Sequence, residues 1–132
     1  MSDTPSSSPA VRFHRTVPIL RIFDVGKARA FYVDWLGFAV DWEHRFEPGM
    51  PLYMQVSRAG LAIHLSEHHG DACPGSTVFV DMEGIDALHA EITARPYAYL
   101  RPGIEAMPWG ARVMQLTDPF GNRLRLNERI PD

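Results

Sequence analysis

A chain of 132 residues with 45% hydrophobic and 22% charged residues has the size and composition of one globular domain, with little room for a second. Its formal net charge of −3 lacks the basic excess of a protein that grips a nucleic-acid backbone. No stretch approaches the roughly 20 apolar residues of a membrane span. Cys73 is the sole cysteine, so no intramolecular disulfide can form, and the cytoplasm is the expected address.

Residues 1–10 (MSDTPSSSPA) carry neither a basic nor an apolar run, which predicts a disordered leader over 1–12 ahead of a single domain over 13–130. Residues 17–23 are rich in β-branched and aromatic side chains and predict a strand, with Pro18 near its start. Asp24 is placed to cap a helix in which Ala28, Phe31, Tyr32, Trp35 and Leu36 recur at helical spacing. The three aromatic residues of that stripe read as core, and Gly37 ends the helix. From Phe38 to Phe46 a strand alternates. Phe38, Val40, Trp42, His44 and Phe46 fall on one face, and Ala39, Asp41, Glu43 and Arg45 on the other. Trp42 there is as suited to burial as to a ligand. Residues 47–51 form a turn, and strands at 52–57 and 61–66 make a hairpin around Arg58, Ala59 and Gly60.

A polar stretch over 68–75 leads to a second set of elements: a strand at 77–82, a helix at 85–94, an irregular strand at 97–101, and strands at 111–117 and 123–127. Asp118-Pro119-Phe120-Gly121-Asn122 is a tight turn before the last strand. The second half thus repeats the first at an interval of about sixty residues. This predicts an α+β fold of two βαβββ modules, about 16–67 and 76–128, whose mixed sheets form a cup. Clefts at such junctions are common ligand sites.

Four segments carry a resemblance to a known family: residues 17–25 (VPILRIFDV), 30–38 (AFYVDWLGF), 108–110 (PWG) and 117–126 (TDPFGNRLRL). Together they resemble the vicinal-oxygen-chelate superfamily, which includes glyoxalase I, extradiol dioxygenases and the fosfomycin- and bleomycin-resistance proteins. Metal-using members place His, Glu or Gln on the first and last strand of each module. The resemblance puts those positions at Val17, His64, Thr77 and Arg125. Only His64 is a good ligand, and a catalytic metal needs about three from the protein. No metal, cofactor or catalytic residue is therefore expected.

The remaining likeness is to the bleomycin-resistance branch. It implies non-catalytic sequestration of a bleomycin-like glycopeptide or similar flat, polar antibiotic by an arm-exchanged homodimer. Carried over, Trp109 would stack on planar rings, Trp42 and Phe46 would line the same groove, and Asp41, Glu43 or Glu47 would meet a cationic tail. His64 and Arg125 would also face the ligand, Arg125 and Arg45 adding positive charge. The alternative is a metal-dependent lyase, isomerase or dioxygenase of the glyoxalase type, using His64 or the His68–His69 loop. Glu67, His68, His69 and Asp71 read more simply as a solvated loop, since adjacent residues in an extended loop point apart. Arg123 and Arg125 either hold a ligand anion or pair with acids across the sheet.

Overall fold

The computed structural model describes residues 10–95, 97 and 99–131; the leader predicted at 1–12 thus lies mostly outside the described residues. The elements run β1 (Ile19–Arg21), α1 (Val25–Arg29) continuing as a π-helical segment (Ala30–Trp35), β2 (Ala39–His44), β3 (Tyr53–Arg58) and β4 (Leu61–Ser66). They then repeat as β5 (Thr77–Asp81), α2 (Ile85–Thr93), β6 (Ile104–Met107), β7 (Ala111–Thr117) and β8 (Arg123–Arg129). The doubled βαβββ order is the predicted one. Each module builds a four-stranded mixed sheet, in the orders β1-β4-β3-β2 and β5-β8-β7-β6. The first and last strands of each module pair in parallel, and the other neighbours are antiparallel.

Period-two alternation decides which face meets the helices. Leu20, Met54, Val56, Ile63 and Leu65 of the first sheet, and Met114, Leu116, Leu124 and Leu126 of the second, belong to one buried cluster with Phe31, Tyr32, Trp35 and Ile92. Burying that much aliphatic and aromatic area is the dominant favourable term in folding. The opposite face of each sheet is turned away from the helices and is its open face.

Local chemistry fixes the helix ends. Asp24 accepts a hydrogen bond from the Lys27 N–H at 2.9 Å, as expected of a cap. Gly37 adopts φ 79°, the left-handed conformation of a helix C′ residue. The last carbonyls of the helix, Trp35 and Leu36, accept from Arg95 (2.5 Å) and Arg58 (2.6 Å). Both guanidiniums also hold Glu91 of α2, so one carboxylate ties the hairpin and helix of different modules. The hairpin turn has Ala59 at φ 50° and Gly60 at φ 96°, two consecutive positive values that match the strand twist.

The modules are bolted together by the turn after β7. Tyr32 donates its hydroxyl to Asp118 Oδ2 at 2.7 Å. Asp118 Oδ1 accepts from the N–H groups of Phe120 (2.8 Å) and Asn122 (2.9 Å), and Asn122 Nδ2 donates to the Arg21 carbonyl at 2.7 Å. Trp35 adds a bond from Nε1 to the Ile92 carbonyl at 2.9 Å. Residues 118–122 are therefore a turn, as predicted, and also the polar hinge-pin between the repeats.

Two predictions need correction. The irregular strand placed at 97–101 is absent among the described residues there; the strand lies at Ile104–Met107. Tyr97 packs instead on Trp35, with ring centroids 4.7 Å apart and nearly parallel, and edge-on against Phe31. Its aromatic character serves the helix–helix core rather than a ladder. The regular alternation over 38–46 also fails. Val40 opposes Val56 but Trp42 opposes Gln55, so Asp41 is an extra residue in a β-bulge. Past it the faces switch. Phe38 and Val40 belong to the core side, whereas Trp42 and His44 stand on the open face with Gln55 and Tyr53.

Candidate ligand-binding site

The bulge assembles an aromatic and polar cluster on the open face of the first sheet. Trp42 stacks on Tyr53 with centroids 5.9 Å apart and planes 7° from parallel. His64 from β4 stands edge-on to both, at 5.2 and 5.1 Å. Trp42 keeps 42% of its surface exposed, enough to offer a ring face to a flat partner. Phe46 extends the cluster beyond β2, edge-on to His44 at 5.0 Å and His68 at 6.4 Å.

A hydrogen-bond chain fixes these rings. Gln55 donates from Nε2 to Asp41 Oδ2 at 2.8 Å, which turns its Oε1 toward His64 Nε2 at 3.0 Å. The imidazole Nε2 must then be the donor, leaving Nδ1 to accept the Tyr53 hydroxyl at 2.7 Å. Arg15 also reaches Gln55 Oε1, at 3.5 Å. Burial, with the Arg15 charge, holds His64 below its ordinary value, which favours this neutral ring. The bonds from Gln55 and Ser57 keep the Asp41 carboxyl below the usual range. Burial and the nearby Asp71 push the Tyr53 phenol up, so it stays a donor.

The structure thus brings together Trp42, Asp41, His64 and, at the margin, Phe46. It sets the other predicted residues elsewhere. Glu43 lies on the helix side of β2 and forms an ion pair with Arg29 of α1. Glu47 sits in the exposed turn after β2. Trp109, 69% exposed, caps the β6–β7 hairpin, where Gly110 N–H bonds back to Met107 at 3.1 Å. Arg125 occupies the open face of the second sheet and donates to Gln115 Oε1 at 3.1 and 3.3 Å. Tyr53, Gln55 and Arg15 were missed from sequence. The signal for the first two was their alternation with buried Met54 and Val56 along β3. Arg15 left none. A cleft of about 1330 Å³ lies between the hairpin tip and α2 and contains none of the predicted site residues.

The residues do not fit a divalent metal. Ile19 lies directly across from His64, and Phe79 across from Arg125, whereas Val17 precedes β1 and Thr77 pairs with Arg123. Both imidazole nitrogens of His64 are already engaged. Among the described residues no three His, Cys, Asp or Glu side chains converge.

A family model described as "Glyoxalase superfamily protein" matches residues 3–132. The chain belongs to the glyoxalase superfamily. Among curated protein sequences none matches it. Solved structures of the superfamily are similar throughout. A bleomycin-binding protein from bleomycin-producing Streptomyces verticillus, complexed with copper(II)-bleomycin, is 28% identical over 93% of this chain and 100% of its own, with a TM-score of 0.65. A bleomycin resistance determinant encoded on transposon Tn5 is 22% identical over 89% and 98%, with a TM-score of 0.68. A glyoxalase-related enzyme from Clostridium phytofermentans is 24% identical over 95% and 100%, with a TM-score of 0.68. The last two likenesses speak for the fold alone. Within this superfamily fold many chemistries occur, so the site has to carry the functional argument. Among the described residues no helix is long and apolar enough to cross a membrane.

Proposed function

We propose that this glyoxalase-superfamily chain binds a flat, polar small molecule of the antibiotic type and holds it without transforming it, acting as a homodimer. The observation that carries this reading is the Trp42–Tyr53–His64 cluster, whose rings are pre-positioned and whose histidine spends both nitrogens on Tyr53 and Gln55. Such a cluster offers stacking area at little entropic cost, since its side chains are already fixed. With both of its nitrogens engaged, His64 offers no free base there. The 28% identity to a protein solved with copper(II)-bleomycin supports the ligand class. Trp109 and Phe46, both exposed, are proposed as further stacking surfaces, Trp109 reaching the groove from a second copy. Asp41 and Glu47 are proposed to meet polar groups at its margin; Glu43 has the same proposed role only if Arg29 releases it.

The test is calorimetric titration with bleomycin and other flat antibiotics, followed by mass spectrometry of the recovered ligand and metal analysis of the protein. Saturable binding with unchanged ligand is expected. Turnover that disappears with chelator would establish the metal-dependent alternative instead.

A further inference from the structure

The open face of the second sheet carries its own cluster. Across the register, Gln115, Arg125 and Phe79 form one row and Thr117, Arg123 and Thr77 the next. All six stand away from α2, because the alternate residues Leu116, Leu124 and Leu126 fill the core. Phe79 is 58% exposed in the middle of a strand, where an aromatic ring is normally covered. The two arginines are two residues apart on one face, about 6.6 Å along the strand.

Their partners are neutral. Arg123 reaches Thr77 Oγ1 at 3.3 Å, and Arg125 holds Gln115 Oε1. Among the described residues neither forms an ion pair, whereas Arg58, Arg95 and Arg112 each hold a carboxylate. No acid lies in these two rows. The adjacent row carries Asp81 and Glu105, and Asp81 is engaged by Asn127 Nδ2 at 2.9 Å. Two guanidiniums beside an uncovered ring, with no carboxylate at ion-pair distance among the described residues, match a ligand that brings both a ring and a negative charge. Guanidinium forks bind carboxylates with charge-assisted, directional hydrogen bonds.

We propose that this face binds the anionic end of a flat aryl ligand, with the ring laid on Phe79 and a carboxylate held by Arg123 and Arg125. The proposal rests on the binding reading above and narrows it, assigning the ligand a negative charge on the side of the second sheet.

The full chain can be titrated by calorimetry with three probes sharing one ring system: 2-naphthoate, 2-naphthalenemethanol and 2-naphthylmethylammonium. Naphthoate should bind at least tenfold tighter than the ammonium probe, with the alcohol between. The double variant Arg123→Gln/Arg125→Gln should lose that preference while keeping the wild-type circular dichroism spectrum. Arg123→Lys/Arg125→Lys should restore part of it. Phe79→Ala should weaken all three probes together. Equal binding of the two charged probes, an unchanged double variant, or no binding of any probe overturns the proposal. Saturable binding of a flat antibiotic in the same preparation would leave the broader reading standing. Absence of both fails both.

Discussion

Replacing Tyr32 with Phe removes one oxygen from the bolt between the two modules. Tyr32 is fully buried, and its hydroxyl donates to a carboxylate that is itself only 5% exposed. Burial, reinforced by the Asp118 charge, pushes the phenol well above its ordinary value, so the donor is never lost by ionisation. A hydrogen bond to a charged group contributes about 1.5–3 kcal/mol, and the acceptor left behind cannot be reached easily by water. Asp118 would keep its bonds to the Phe120 and Asn122 N–H groups and to Asn122 Nδ2, which limits the loss to that single bond. With an unfolding entropy of about 2.1 cal/mol/K per residue, a domain of this length should lose about 5–11 °C in Tm. Thermal unfolding followed by circular dichroism, at one fixed protein concentration, measures it. The far-UV spectrum at 20 °C should be unchanged. A Tm shift under 1 °C would refute the claim that this turn fastens the repeats.

Other substitutions test the remaining parts. Gly37→Ala puts a Cβ 2.8 Å from the Arg58 guanidinium at φ 79°. It should cost about 1–2 kcal/mol in urea unfolding, more than an ordinary surface change. Trp42→Ala should weaken a flat ligand about tenfold, roughly 1.4 kcal/mol. Its Tm should stay near wild type because the ring is part-exposed. Unchanged affinity removes it from the site. Trp109→Ala should weaken the same ligand, and only if the hairpin tip of another copy meets it; sedimentation of the variant with and without ligand reports the assembly. His64 titrates below about 6.5, because burial and Arg15 disfavour its cation. The neutral ring's contribution to stability is therefore present above about 6.5 and is lost as pH falls toward the folded value. Protonation would also take away the acceptor of the Tyr53 hydroxyl. An NMR midpoint at or above 6.5 would overturn the assigned network.

How far the sequence disclosed this molecule follows from which forces act locally. The repeat, the Asp24 cap, the Gly37 stop and the Ala59–Gly60 turn are all decided within a few residues, by side-chain capping and by positive φ. Each was legible. The core stripe Phe31–Tyr32–Trp35 was legible too, since periodicity reports burial directly. What strict alternation could not reveal is the inserted residue Asp41. A bulge has no periodic signature; it is stabilised by the partner strand, here by Gln55 Nε2 reaching the bulged carboxylate. That single insertion decides the site. Without it Trp42 would share a face with Val40 and be buried against the helices, and Glu43 would stand on the open face where an acidic contact was expected. With it, the aromatic ring is turned outward onto Tyr53 and the acid is turned inward to Arg29. The same shift of charge explains why the unpaired guanidiniums of the second sheet matter. Once Glu43 faces away, the open face of the first sheet offers mainly aromatic surface, and Arg123 and Arg125 on the second are left without an ion pair among the described residues, an arrangement that the proposed aryl anion would complement.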